Sequence, residues 1–138
     1  MKALNIGLKD LKTAALSLAP KLKGGEILAL IGPLGAGKTS FTKALGKTLK
    51  IKSHITSPTF TLMTVHQAVL KNRRKVYFYH LDLYRTKSFK EVKTLGITEI
   101  WGKPNVITVI EWANKINRHL PASSLKIHFF APKLYKAR

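Results

Sequence analysis

The first chemistry visible in the sequence is a glycine-rich segment at residues 32–39. It reads Gly-Pro-Leu-Gly-Ala-Gly-Lys-Thr and fits the pattern G-x-x-x-x-G-K-[ST] at every fixed position. Glycines let the backbone curl so that successive N–H groups point inward at an anion. In this pattern the lysine reaches the β- and γ-phosphates, and the final hydroxyl ligates Mg²⁺. The segment therefore predicts a site for a nucleoside triphosphate and Mg²⁺.

Nucleotide contacts are predicted from the loop, from the residue after it and from one later tryptophan. ATP is favoured over GTP because the chain has no N-K-x-D segment, which reads guanine. Trp112 either lies near the nucleotide or is an aromatic residue of the core or its rim. The predicted contacts are Gly32, Leu34, Gly35, Ala36, Gly37, Lys38, Thr39, Ser40 and Trp112.

Two carboxylates stand where predicted strands end. Asp82 follows the apolar segment 76–81, and Glu111 follows the apolar segment 106–110. Ligands of parallel α/β sheets lie outside the carboxyl ends of the strands, where the glycine-rich loop also lies. We therefore expect both acids to face the γ-phosphate and its metal instead of pairing with surface lysines. The predicted catalytic residues are Glu111, Asp82 and Lys38, and the predicted metal ligands are Thr39, Asp82 and Glu111.

Other polar residues are assigned less specific roles. His80 lies two residues before Asp82 and either supports it or, as we favour, packs inside its strand. The segment 57–61, Ser-Pro-Thr-Phe-Thr, is either a turn or a segment that responds to a γ-phosphate. The four remaining acids are predicted to be solvated: Asp10, Glu26, Glu91 and Glu99.

The elements that must position these residues alternate between strands and helices. Apolar spacing predicts a helix over 8–22, a buried strand over 26–31 and a helix over 39–49. Strands over 60–65 and 76–81, joined by a polar connection over 67–75, predict a β-hairpin with a mobile tip. The remaining predictions are a helix over 88–101 broken near Gly96, a strand over 106–110, a helix over 114–120, a strand over 125–130 and a frayed basic tail over 132–138. The chain is thus predicted to be a single α/β domain, residues 1–138, with a mostly parallel central sheet in three layers.

Composition narrows the functional classes. The chain has no cysteine, which excludes disulfides and thiol chemistry. It has no apolar run of the ~20 residues needed to cross a bilayer and no visible secretory signal, so a soluble cytoplasmic protein is the simplest interpretation. Twenty-five Lys and Arg against six Asp and Glu give a formal charge of +19. That charge indicates either contact with RNA or only a lysine-rich composition.

Several separate motifs resemble one family. Behind the glycine-rich loop come Ser-Pro-Thr-Phe-Thr-Leu at 57–62, His-Leu-Asp-Leu-Tyr-Arg at 80–85, Leu-Gly at 95–96 and Ile-Glu-Trp at 110–112. In that order they resemble the TsaE (YjeE) family of bacterial ATPases required for threonylcarbamoyladenosine (t6A) modification of tRNA. The resemblance runs from about residue 8 to residue 130 and implies the fold of P-loop NTPases.

The resemblance also implies a function. Members of this family act with the TsaB–TsaD pair, which modifies adenosine 37 of tRNA, and hydrolyse ATP to reset that complex between turnovers. By motif, Lys38 and Thr39 hold phosphate and Mg²⁺, Asp82 supports the metal, Glu111 positions metal or attacking water, and Trp112 lies close to the nucleotide. Segment 57–61 is then the switch-like segment, and tRNA is contacted indirectly or through the basic surface. No membrane or DNA partner is expected.

The chain departs from the family pattern at two positions. Pro33 stands where the family usually has Asp, which removes a carboxylate near the site and leaves the hydrolysis rate open. Leu11 stands where a Thr often contributes to the adenosine pocket. Two other functions are weighed against the ATPase: a small-molecule kinase using the same loop, and a non-catalytic basic RNA-binding module.

Overall fold

The computed structural model describes residues 3–33, 35–55 and 62–130. Predictions for Leu34, for the segment 57–61 and for the tail 132–138 therefore lie outside the described residues. The strands are β1 (Ala3–Ile6), β2 (Ile27–Ile31), β3 (Met63–Val69), β4 (Lys75–Asp82), β5 (Val106–Glu111) and β6 (Leu125–Phe129). The α-helices are α1 (Leu11–Leu18), α2 (Lys38–Thr48) and α3 (Phe89–Thr94), and short 3-10 helices cover Leu8–Asp10, Ala19–Lys21, Ile97–Glu99 and Ala113–His119.

The six strands form one sheet in the order β1-β6-β2-β5-β4-β3. Every neighbouring pair is parallel except β3 and β4, which are antiparallel. The carboxyl ends of β2, β4 and β5 therefore lie at one edge of the sheet. The predicted α/β class, with a mostly parallel sheet and one hairpin, is confirmed.

Helices cover both faces of the sheet, which gives the predicted three layers. Alternate residues of each strand point to opposite faces, so one face of β2 packs with α1 and α2, while the other packs with α3 and the 3-10 helices that follow it. Both layers are apolar and fully buried at their centres, for example at Phe41 on the first face and Ile110 on the second. The buried runs of β2 and β5 reflect this double covering.

The hairpin differs from its prediction. Strand β3 continues to Val69, and Gln67 pairs with Tyr77, so most of the predicted polar connection 67–75 is strand and tight turn. The turn is closed by the backbone N–H of Leu70, which donates to the Arg74 oxygen at 2.9 Å. The predicted bounds of the connection were wrong because exposed Gln67 was taken as the start of a polar segment, although Ala68 and Val69 after it continue the strand.

Three further elements of the structure differ from the elements predicted from the sequence. Strand β1 was not predicted, because its four residues carry too little pattern to register. The helix over 8–22 is shorter, with 3-10 turns on both sides of α1, and the helix over 114–120 is a 3-10 segment with a kink at Ile116. The break near Gly96 is present, with a φ of +78° that favours glycine. No helix in the described part of the chain is long and apolar enough to cross a membrane.

Candidate functional site

The glycine-rich loop joins the end of β2 to the start of α2. Two of its glycines have positive φ: Gly35 at +80° and Gly37 at +100°. A Cβ on Gly35 would meet only open space, whereas a Cβ on Gly37 would lie 2.5 Å from Leu11 Cδ1. The loop thus turns directly into α2, so the N-terminal end of that helix points at the same space as the loop amides, an arrangement suited to phosphate.

The Lys38 side chain lies across the loop. Its Nζ donates to the backbone oxygens of Gly32 at 2.5 Å and Pro33 at 3.0 Å, and it lies 3.9 Å from the centre of the Trp112 ring. The residue is 5% exposed. Burial lowers the pKa of Lys38 below its ordinary value, and the Glu111 and Asp82 carboxylates partly offset that shift. An ammonium group held this way is positioned to exchange two carbonyl contacts for phosphate oxygens.

Glu111 is the centre of the site's hydrogen bonds. The Thr39 hydroxyl donates to Glu111 Oε1 at 2.8 Å, and His80 Nε2 lies 2.5 Å from Glu111 Oε2. Both His80 and Glu111 are almost fully buried. A carboxylate oxygen only accepts, so His80 Nε2 is the donor in this pair. The two oxygens of Glu111 are therefore each fixed, one by the helix that follows the loop and one by the neighbouring strand.

Strand register explains why these side chains meet. Strands β4 and β5 pair with Asp82 opposite Glu111 and His80 opposite Val109. Residues two apart on a strand share a face, so His80, Asp82 and Glu111 all lie on the face that carries α2. Asp82 also accepts the backbone N–H of Tyr84 at 3.0 Å, which holds the chain as it leaves the strand.

Trp112 borders the loop from the turn after β5. It has a φ of +59°, which is uncommon for a bulky residue and turns the chain sharply away from Glu111. Its ring lies 5.1 Å from the Tyr84 ring at an interplanar angle of 45°. Tyr84 is about half exposed and its backbone oxygen accepts from Lys115 Nζ. The two rings and Lys38 thus form one wall beside the glycine-rich loop.

The structure brings most of the predicted site residues together. Lys38, Thr39, Asp82, Glu111 and Trp112 lie at one edge of the sheet, as the strand-end argument predicts. Sequence reasoning placed His80 in the strand core and missed its bond to Glu111. The signal that could have found this bond is the spacing of His80. It stands two residues before the strand-end acid Asp82 and therefore shares a face of the sheet with that acid. Tyr84 was missed as well, because its contact with Trp112 depends on how two turns approach each other.

The donor set fits Mg²⁺ in company with phosphate. No cluster of three or more His, Cys, Asp and Glu side chains able to hold a metal occurs within residues 3–33, 35–55 and 62–130. Mg²⁺ is usually bound through one or two carboxylates together with substrate phosphates and water, not by an all-protein cage. The hydroxyl of Thr39 and the carboxylates of Asp82 and Glu111 are oxygen donors of that kind.

Comparisons with known proteins agree with one another. Residues 7–137 match the family described as "Threonylcarbamoyl adenosine biosynthesis protein TsaE". The Bacillus subtilis protein named "tRNA threonylcarbamoyladenosine biosynthesis protein TsaE" is 35% identical, covering 92% of this chain and 75% of the relative. A protein of the same name from Treponema pallidum is 36% identical, covering 77% of this chain and 73% of the relative. The crystal structure of Bacillus subtilis YdiB superposes with a TM-score of 0.68 at 30% identity, covering 92% of this chain and 74% of that one. The chain belongs to the TsaE family.

Proposed function

We propose that this protein binds ATP with Mg²⁺ at the loop 32–39 and hydrolyses it slowly, in support of tRNA threonylcarbamoyladenosine biosynthesis. One observation carries the ATPase half of the proposal. Glu111 is buried at a strand end and is held on one side by Thr39, the last residue of the loop pattern, at 2.8 Å. A carboxylate fixed against the magnesium-ligating hydroxyl is the part that a loop needs for hydrolysis as well as for binding.

Each side chain has a separate task. Lys38 leaves its two carbonyl partners and pairs with the β- and γ-phosphate oxygens. Thr39 and Asp82 would hold Mg²⁺, which would supply positive charge against the charge that develops on the phosphates. Glu111 would help position the metal or orient the attacking water, with His80 holding its second oxygen. Because Pro33 provides no carboxylate of its own, we expect slow turnover.

The biosynthetic half of the proposal rests on family membership. Both curated relatives named above carry the t6A biosynthesis name. We propose that this protein acts in the same modification through a TsaB–TsaD pair, in the cytoplasm, with ATP turnover changed by that contact. Hydrolysis then serves the assembly and not a small-molecule acceptor.

The test is ATP hydrolysis and t6A formation in a reconstituted system with purified TsaB and TsaD. Wild-type protein should hydrolyse ATP weakly alone, change its rate with the pair, and support repeated rounds of tRNA modification. Lys38→Ala should lose both activities. The assignment would be overturned if the rate of ATP hydrolysis did not change with TsaB and TsaD and if tRNA modification proceeded without this protein.

Two other functions have distinct outcomes in the same assay. A kinase would transfer radiolabelled phosphate from ATP to an acceptor in place of water. A purely RNA-binding module would hydrolyse no ATP in any of these mixtures, and its RNA affinity would change neither with ATP nor in Lys38→Ala. No geometry in the described residues favours either over the ATPase.

A further inference from the structure

A second concave region lies far from the phosphate loop, along the edge strand β3. It is a groove of about 420 Å³ between β3, the segment that follows α2 and the start of β4. Its polar and charged lining includes Lys50, Lys52, Ser53, Gln67 and Lys75. The groove therefore has a chemistry of its own, which the ATPase site does not use.

The groove is positively charged without local compensation. Three lysines line it, all exposed to solvent, and no acidic side chain of the described residues does so. The adjoining hairpin turn adds exposed Lys71 and Arg73. Two of the chain's six acids, by contrast, belong to the ATP site. Such a concentration of one sign attracts a polyanion, because each contacted phosphate releases condensed counterions.

Lys50 occupies a position where the fold itself would favour glycine. It lies just past α2 with a φ of +58°, and its N–H donates to the Lys47 oxygen at 3.1 Å. The next N–H, from Ile51, donates to the Gly46 oxygen at 2.9 Å. This helix ending usually takes glycine, since a β-carbon is strained in the left-handed region. A lysine at this site adds charge to the groove at a cost in backbone strain.

The groove is also firmly built. The N–H of Val69 donates to the Leu49 oxygen at 2.8 Å, which fastens the end of α2 to the outer edge of β3. Ser53 Oγ lies 2.5 Å from His66 Nδ1, and His66 Nε2 lies 3.1 Å from Thr64 Oγ1. His66 is buried, so this chain of bonds holds the segment after α2 against the strand. A groove fixed on both sides offers its lysines to a ligand without reordering the backbone.

We propose that this groove binds the sugar–phosphate backbone of an RNA. Lysine ammonium groups contact phosphates, and the Ser53 hydroxyl and Gln67 amide hydrogen-bond to phosphate or ribose oxygens. The lining combines three lysines with the apolar side chains of Val65, Ala68 and Val69, and a concave basic groove of this kind suits a strand of nucleic acid better than a flat bilayer surface. The choice of RNA over DNA rests on the proposed function, in which tRNA is the substrate.

The test measures binding of a fluorescein-labelled, unmodified tRNA transcript by anisotropy at several salt concentrations. The groove variant carries Lys50→Gly, Lys52→Ala and Lys75→Ala. Its matched control carries Lys87→Ala, Lys90→Ala and Lys93→Ala, which removes the same charge from residues that do not line the groove. Loss of about three phosphate contacts should lower affinity on the order of 100-fold at 0.1 M salt and reduce the salt slope by about 2 to 3. The control should lose only a few-fold.

Further measurements on these variants separate an effect on folding from an effect on tRNA binding. Lys50→Gly alone should keep or raise the melting temperature, because glycine relieves the positive φ, while still weakening tRNA binding. Equal losses in the groove variant and in the control would overturn the proposal, as would equal binding of the wild type to a DNA hairpin or to phosphatidylserine vesicles. ATP hydrolysis without partners should be unchanged in the groove variant. If the groove variant binds tRNA no worse than the control does while wild-type protein hydrolyses ATP, the groove proposal is refuted. If wild-type protein hydrolyses no ATP, the proposed function is refuted.

Discussion

The bond between His80 and Glu111 makes a sharp prediction about stability. His80 is fully buried and its Nε2 lies 2.5 Å from a Glu111 oxygen. His80→Leu fills much of the same volume but removes the donor, so the buried carboxylate loses one of its two described partners. His80→Gln is the matched variant, because its amide nitrogen sits close to where Nε2 does. The two variants differ mainly in whether Glu111 keeps this hydrogen bond.

The expected magnitude follows from the burial. A hydrogen bond to a charged group is worth about 1.5–3 kcal/mol, and leaving a buried polar group without its partner costs about 1–3 kcal/mol or more. Because Thr39 still donates to Glu111, we expect His80→Leu to lower the free energy of unfolding by about 3 kcal/mol at pH 7, the upper end of the range for one such hydrogen bond. For a domain of this size that corresponds to a melting temperature lower by roughly 10 °C. His80→Gln should cost about 1 kcal/mol.

Urea unfolding followed by circular dichroism measures both variants, and a double-mutant cycle with Glu111→Gln isolates the pair. His80→Leu should cost less in the Glu111→Gln background, with a coupling energy of about 1–2 kcal/mol. If the two His80 variants are equally stable, or the cycle shows no coupling, then His80 only fills space and does not hold Glu111.

Three other predictions test separate features. In a Trp101→Phe variant the fluorescence of Trp112 should change when ATP and Mg²⁺ are added, because Lys38 moves off its ring; constant emission would argue against that movement. Burial lowers the pKa of His66 from its ordinary 6.5, so the unfolded chain binds more protons. The stabilisation is complete above pH 6.5 and is lost as the pH falls towards the folded-state pKa, so the melting temperature should drop between pH 7 and pH 5, and less in His66→Gln. Gly37→Ala should cost about 1–2 kcal/mol from its positive φ alone, measured by urea unfolding. An unchanged urea midpoint would contradict the inference that the positive φ of Gly37 disfavours a β-carbon at this position.

Much of the site was readable from the sequence because its signals are local. The loop pattern, the strand before it and the helix after it are contiguous, and Glu111 ends a continuous apolar run. The parallel arrangement then brings strand ends together without any knowledge of exact register. The strand before the loop, the helix after it and the parallel arrangement of the strands were confirmed.

The parts that were missed depend on pairing between distant segments. The contact of His80 with Glu111 follows from the register of β4 on β5, which places Asp82 opposite Glu111. The basic groove forms only when the chain after α2 meets the hairpin, so Lys50 and Lys75 look unrelated in sequence. Propensity and periodicity carry no information about such contacts.

The most direct test of the account is single-turnover ATP hydrolysis by wild type and by Glu111→Gln, with Glu99→Gln as the matched control. Glu99 is an exposed acid on a short 3-10 helix of the other layer. Glu111→Gln should slow hydrolysis about 100-fold or more while ATP affinity changes only a few-fold, and Glu99→Gln should match wild type. Hydrolysis at the wild-type rate in Glu111→Gln would contradict the claim that this buried carboxylate directs the reaction.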